Sequence, residues 1–164
     1  MANLITAGNS TNNGFAVTSD NTGALNILTG AGAGTAAISI DSSQNVTVAG
    51  GLTTVGAIGY GTGAGGTVTQ GTSRTTGVTL NKPTGAITMF TAAGSATAAT
   101  FTVTNSFVAA TDTISVNQKS GTNLYNFIVT AVASGSFNIT FYTTGGTASD
   151  APVINFNVIK GVTA

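Results

Sequence analysis

Tyr125-Asn126-Phe127-Ile128-Val129-Thr130-Ala131-Val132-Ala133-Ser134-Gly135-Ser136-Phe137-Asn138-Ile139-Thr140-Phe141-Tyr142-Thr143 carries the clearest strand pattern in this chain. From Ser136 onward, Phe137, Ile139 and Phe141 alternate with Asn138 and Thr140, the period of two of a strand with one buried face. Ser134-Gly135 marks a turn. The strand expected before it, Tyr125 to Val132, breaks the alternation: Phe127, Ile128 and Val129 run consecutively, and Ala131 and Val132 follow. A strand apolar on both faces is covered on both. In a two-layer sandwich the outer face is then expected to meet a neighbouring subunit, although a bulge or a covered central strand produces the same pattern. Phe127 and Val129 share one side and Ile128 takes the other. Phe127 is therefore expected in the core and Ile128 at a subunit interface.

The same grammar extends outward. Further strands are expected at Thr67 to Gln70, Gly77 to Leu80, Ala86 to Thr91, Ala98 to Thr104, Asp112 to Asn117 and Val153 to Ile159. Phe101/Val103, Ile114/Val116 and Ile154/Phe156/Val158 alternate with polar residues, and Ser120-Gly121 and Gly145-Gly146 mark turns. No 3.6-residue periodicity persists, so the class is all-β. Short antiparallel strands at this density predict a jelly-roll-like β-sandwich knob over residues 67–164.

Upstream, Gly59, Gly61, Gly63, Gly65 and Gly66 leave few side chains to pack. Residues 59–66 read as a flexible connector or a tight backbone crossing. Residues 1–58 read as an attachment region of short strands and hairpins, opening with a polar, Asn-rich arm. Two weak repeats lie in it at one constant offset: Ala37 follows Ala16 as Val46 follows Leu25 and Gly51 follows Gly30. Ala16 to Asp20 and Ala37 to Asp41 are first strands, Asn21 to Ala24 and Ser42 to Asn45 turns, and Leu25-Asn26-Ile27 and Val46-Thr47-Val48 second strands. So few large apolar side chains cannot offset the entropy of ordering the region. Burial of Leu25, Ile27, Val46 and Val48 against other chains is the simplest remedy, and threefold intertwining would remove the exposed strand edges.

Charge excludes more than it suggests. Of 164 residues 5% are charged, with four Lys and Arg against four Asp and no Glu, so the net charge is zero. No basic groove for nucleic acid can be assembled from four cations. With 41% hydrophobic residues the chain is not a disordered polyelectrolyte. It contains no Cys and no His, which removes disulfides, thiolate and imidazole ligands and the Ser-His-Asp triad. Asp20, Asp41, Asp112 and Asp150 are dispersed, three of them beside expected turns or strand ends. No catalytic, cofactor-binding or metal residue is assigned. Gly61-Thr62-Gly63-Ala64-Gly65-Gly66 matches G-x-G-x-x-G, but a strand follows it and no acid stands about 20 residues on, as a dinucleotide site requires. Arg74, the only arginine, is expected either to bridge modules or subunits or to lie on plain surface. No apolar run is long enough to span a membrane, and no secretory signal opens the chain. A soluble product made inside a cell is expected.

Three stretches carry a resemblance: Gly59-Tyr60-Gly61-Thr62-Gly63-Ala64-Gly65-Gly66-Thr67-Val68-Thr69-Gln70, Ser73-Arg74-Thr75-Thr76-Gly77-Val78-Thr79-Leu80-Asn81-Lys82, and Phe156-Asn157-Val158-Ile159-Lys160. They resemble a module of tailed-phage structural proteins, found at tail-fibre tips and on capsid-surface fibres or decoration proteins. Ala37 to Thr47 looks like the strand repeats that precede such tips. The resemblance covers roughly residues 60–160. It implies a homotrimeric, non-enzymatic virion surface protein made in the host cytoplasm. Its partner would be the major capsid protein for a decoration protein, or a host surface glycan for a tail tip. The motifs do not choose between head and tail, and no functional residue is carried over with them.

Overall fold

A computed structural model describes residues 23–29 and 35–162. Among them every regular element is a strand. The chain divides into two compact units, Met1–Ile58 and Gly59–Ala164.

In the first unit, β1 (Leu25–Thr29), β2 (Thr35–Ile40) and β3 (Val46–Val48) form an antiparallel three-stranded sheet in chain order. The β2–β3 hairpin is the one expected over residues 37–48; the first strand of the other expected hairpin, Ala16 to Asp20, lies outside the described residues. Asp41 builds the turn. Its Oδ1 accepts from the backbone N–H groups of Ser43 and Asn45, each at 2.9 Å, and its Oδ2 accepts from Asn45 Nδ2 at 2.9 Å. This closure puts Gln44 at φ +66°, a conformation costly for a side-chain-bearing residue. Gly23, the equivalent position one repeat earlier, has φ +77°. The offset of the sequence repeat is thus also an offset in backbone conformation.

The second unit contains β4 (Thr67–Thr69), β5 (Val78–Thr79), β6 (Thr84–Thr88), β7 (Ala92–Ala93), β8 (Ala99–Thr104), β9 (Thr113–Ser120), β10 (Tyr125–Ala133), β11 (Ser136–Thr143), β12 (Ser149–Asp150) and β13 (Val153–Ile159). Two four-stranded sheets, ordered β10-β11-β8-β5 and β4-β6-β13-β9, form a sandwich-like pair, and β7 with β12 makes a two-stranded ribbon. The alternating side chains read from the sequence fill the space between the sheets. Phe101, Val103, Phe137, Ile139 and Phe141 come from one, and Ile87, Ile154, Phe156 and Val158 from the other. Phe137 and Phe156 meet across the layers with ring centroids 5.4 Å apart.

Two pairings depart from the antiparallel expectation: β4 runs parallel to β6, and β5 runs parallel to β8. Both are short edge strands reached by loops, so no tight hairpin dictates their direction. Between β9 and β10, consecutive strands of different sheets, a side chain bridges the gap. Gln118 Oε1 accepts from Tyr125 N at 3.0 Å and its Nε2 donates to Asn123 O at 2.8 Å.

The Gly-rich segment belongs to this second unit. The Tyr60 hydroxyl donates to Val158 O, and Lys82 Nζ donates to Gly63 O at 3.1 Å. Gly66 O accepts from Ala86 N at 2.9 Å. A Cβ on Gly85 would lie 2.8 Å from Gly66 O and 2.6 Å from Leu80 Cδ2, so the backbone crosses tightly where only glycine fits.

Candidate functional site

The chemistry of the second unit is concentrated around Arg74. Its side chain is 9% exposed and that of its partner Asp150 is 5% exposed. The guanidinium donates from Nε to Phe90 O at 3.1 Å, from Nη1 to Tyr125 Oη at 2.6 Å, and from Nη2 to Asp150 O at 2.6 Å, Asp150 Oδ1 at 2.9 Å and Ala92 O. It also lies 5.3 Å from the Tyr125 ring centroid. The Asp150 carboxylate is saturated from the other side. Oδ1 accepts from Tyr125 Oη at 2.8 Å and Asn123 Nδ2 at 3.3 Å, and Oδ2 accepts from the backbone of Thr122 at 2.9 Å and Asn123 at 3.0 Å.

The local sequence holds this cluster in place. Gln70, directly after β4, is buried and works as a backbone surrogate. Its Nε2 donates to Arg74 O at 3.0 Å and Thr76 O at 2.9 Å, and its Oε1 accepts from Phe90 N at 3.1 Å. The loop after β4, the segment into β7, the start of β10 and β12 are thereby clamped together. Burial pushes the Asp150 carboxyl up. The hydrogen bonds from Asn123, Tyr125, Arg74 and Thr122 outweigh it and hold the group below its ordinary value.

A second ion pair closes the other end of the β9–β13 pair. Lys160 Nζ donates to Asp112 Oδ2 at 2.6 Å and to Phe107 O at 2.9 Å. Ala109 N donates to Asp112 Oδ2 at 2.8 Å and Gly161 N to Oδ1 at 3.1 Å. The Ala109 bond first, and Lys160 after it, lower the Asp112 carboxyl against its burial. The side-chain and backbone bonds from Asn45 lower Asp41 in the same way. Asp41, Asp112 and Asp150 thus each receive several hydrogen bonds from their own chain. A carboxylate so held is a structural acceptor, with its lone pairs engaged and its protonation disfavoured. Among the described residues, no three of His, Cys, Asp and Glu gather as a metal site would need.

The six residues expected at a subunit interface fall into two groups. Arg74 is not plain surface: its guanidinium is buried and engaged within its own unit. The sequence holds one signal for this: a lone arginine in a nearly uncharged chain has only four acids to meet. Ile128 lies on the outer face of β10, 49% exposed, while Phe127 and Val129 pack on the core. A bulge between Val129 and Ala131 shifts the phase, so Val132 packs on the core and Ala131 is exposed.

Leu25, Ile27, Val46 and Val48 share one face of the first unit's sheet. The register pairs Leu25 with Ile40 and Ile40 with Val46, and Ile27 with Ile38 and Ile38 with Val48. Ile38 and Ile40, missed as interface candidates, complete the face. Asn26, Ser39 and Thr47 occupy the reverse. Ile27 is 52% exposed and Val46 61% exposed.

Tyr125 lies in the arginine cluster and Tyr60 is tied to β13, so of the three tyrosines only Tyr142 stands on an outer sheet face. Around it the outer face of β8, β10 and β11 is a ladder of hydroxyls and amides. Thr140 Oγ1 pairs with Thr100 Oγ1 at 2.7 Å and with Thr130 Oγ1 at 2.8 Å, and Thr102 Oγ1 donates to Asn138 Oδ1 at 2.9 Å. Gly61 to Gly66 leads into strand β4, not into the helix that a dinucleotide loop requires. Among the described residues no helix is long and apolar enough to cross a membrane. Compared with known proteins, the chain matches no family model, no curated protein and no solved structure.

Proposed function

We propose that the protein is a non-enzymatic structural component of a phage particle, a homotrimeric decoration protein of the outer capsid surface. In this reading residues 1–58 attach to the major capsid protein and the jelly-roll-like sandwich projects as a knob. The observation that carries it is how the charged groups are used. Asp41, Asp112 and Asp150 all brace turns or strand ends, while the apolar face of the small sheet has no partner among the described residues. Such a distribution suits a protein whose work is assembly. The resemblance of residues 59–82 and 156–160 to phage surface modules supplies the particle. Mixing purified full-length chain with capsids that lack it, followed by sedimentation, tests the reading. Co-sedimentation that saturates at a fixed ratio of chains to capsid supports it, and a chain that stays in the supernatant overturns it.

A second reading, a short tail-fibre or tail-tip protein that recognises a host surface glycan, is favoured by the outer face of β8, β10 and β11. Its uncharged Thr and Asn ladder beside Tyr142 offers the hydroxyl, amide and ring contacts that sugars use. Binding to host cells that Tyr142→Ala abolishes, without binding to capsids, would select it.

A further inference from the structure

Ala49 N donates to Ala37 O at 3.0 Å, which closes the β2–β3 pairing, and the Tyr60 hydroxyl on Val158 O begins the bonding of the second unit. Between these two ties, residues 50–59 make no backbone–backbone hydrogen bond with any described residue. The bond from Thr54 Oγ1 to Gly56 O at 2.9 Å stays within the segment. Every residue of the stretch is exposed, Leu52 at 67%, Val55 at 109% and Ile58 at 74%. A Cβ built on Gly50, Gly51, Gly56 or Gly59 would meet nothing within 4 Å. We propose that this segment is a proteolytic processing site for an endopeptidase that selects a large aliphatic side chain, and that cutting it frees the second unit as a folded fragment. The proposal concerns the single chain and does not rest on the capsid or homotrimeric reading.

An endopeptidase takes its substrate as an extended strand, so its cleft needs backbone N–H and C=O groups that a folded element has already engaged. Cleavage inside such an element waits for local opening, and its rate falls with the population of the open form. Residues 50–59 need no opening, and exposed segments of small residues are where chains are nicked. Hydrolysis of the Gly51–Leu52, Thr54–Val55 or Ala57–Ile58 bond adds one water, leaving a carboxyl group on one fragment and an amino group on the other. The side chains set the class of enzyme. The first Lys or Arg of the chain is Arg74, so a protease that requires a basic residue finds none here. Leu52, Val55 and Ile58 offer large aliphatic groups among Gly, Thr and Ala.

Elsewhere, exposed apolar side chains stand on engaged backbone. Ile27, Val46, Ile128 and Ile159 lie in strands. Leu124 O accepts from Thr144 N at 3.1 Å, and Phe107 N donates to Asn105 Oδ1 at 2.9 Å. A cut before Val162 would trim only residues 162–164. The freed part keeps what holds it together. Its buried core runs from Val78 to Val158, and the ion pairs Arg74–Asp150 and Lys160–Asp112 both lie within it.

Thermolysin, which cuts before large aliphatic residues, is the probe, used sparingly on the full-length protein under native conditions with mass spectrometry as the readout. The expected product starts at Leu52, Val55 or Ile58 and carries the whole sandwich. It should form roughly 100-fold faster than any cut within residues 67–159. Its near-ultraviolet circular dichroism, a signal of the aromatic-rich sandwich, should be retained, and its Tm should lie within about 2 °C of that of the sandwich in the uncut chain. Leu52→Ser, Val55→Ser and Ile58→Ser combined should abolish the cut and leave that Tm unchanged. A segment that stays intact is covered, which overturns the proposal and leaves the homotrimeric reading standing. A first cut inside the sandwich, a released fragment without its near-ultraviolet signal, or a triple variant cut within residues 50–59 as fast as the unaltered chain also overturns it.

Discussion

Arg74 Nη2 lies 2.9 Å from Asp150 Oδ1, although the two residues are far apart in the chain, and both side chains are buried. This pair joins the loop after β4 to the ribbon strand β12 and fixes Tyr125 between them. Removing one partner leaves the other charge buried without its counterion, which costs about 3–5 kcal/mol. Arg74→Met should therefore lower the stability of the second unit by about that much in urea denaturation. A loss of only about 0.5 kcal/mol for Arg74→Met, the scale of a plain surface substitution, would show that the cluster contributes no net stability.

Gln44 and Gly23 occupy equivalent left-handed positions, so exchanging their residue types should have opposite effects. Gln44→Gly relieves backbone strain of about 1–2 kcal/mol, partly offset by the greater unfolded-state entropy of glycine. A net gain of up to about 1 kcal/mol is expected. Gly23→Ala should be destabilising, since its Cβ would also sit 3.3 Å from Ser42 Cβ. Hydrogen-exchange protection of the β2–β3 amides checks both changes. Gly23→Ala raising protection would contradict the repeat in backbone geometry.

The two faces of β10 should separate cleanly in stability. Phe127 stacks on Tyr125 with ring centroids 5.7 Å apart and packs on the core. Because it is only half-buried, Phe127→Ala should cost about 3 kcal/mol, the low end for a phenylalanine truncation. Ile128→Ala, on the outer face, should stay within about 0.5 kcal/mol. Equal losses in thermal unfolding would place both side chains in the core.

Acid should unfold the protein in a single window. Asp112 and Asp150 lie below their ordinary value of 3.8 in the folded chain. Their stabilisation is complete above that value, and it is lost as pH falls through the lower folded values, because the unfolded chain takes up protons first. With no His and no Glu, no other side chain titrates between about pH 5 and 7. Tm should be flat across that range and fall below about pH 4. A Tm that changes between about pH 5 and 7, or holds down to about pH 2, would contradict this.

The strands were readable where one face is buried. Phe137/Ile139/Phe141 and Ile154/Phe156/Val158 announce their period of two, and those strands lie where the pattern places them, at Ser136–Thr143 and Val153–Ile159. Pairing was not readable in the same way. Val78 and Thr79 carry no sign of running parallel to β8, because direction is set by the path of a long loop and not by local side chains. The Phe127-Ile128-Val129 run was ambiguous for a physical reason: a bulge just beyond it returns Val132 to the core, and a sequence pattern cannot reveal that phase shift. The arginine cluster escaped because its members, Gln70, Arg74, Asn123, Tyr125 and Asp150, come from separate stretches of the chain and share no local spacing. The apolar face of the small sheet was half read. Register alone brings Ile38 and Ile40 onto it.

The proposed capsid decoration is open to direct observation by electron cryomicroscopy of phage particles assembled in cells that make this chain. The expected result is density for three copies of the sandwich, repeated over the outer capsid lattice, with residues 1–58 nearest the shell. Density confined to the tail tip would contradict capsid decoration in favour of glycan recognition, and particles without the protein would contradict a virion role altogether.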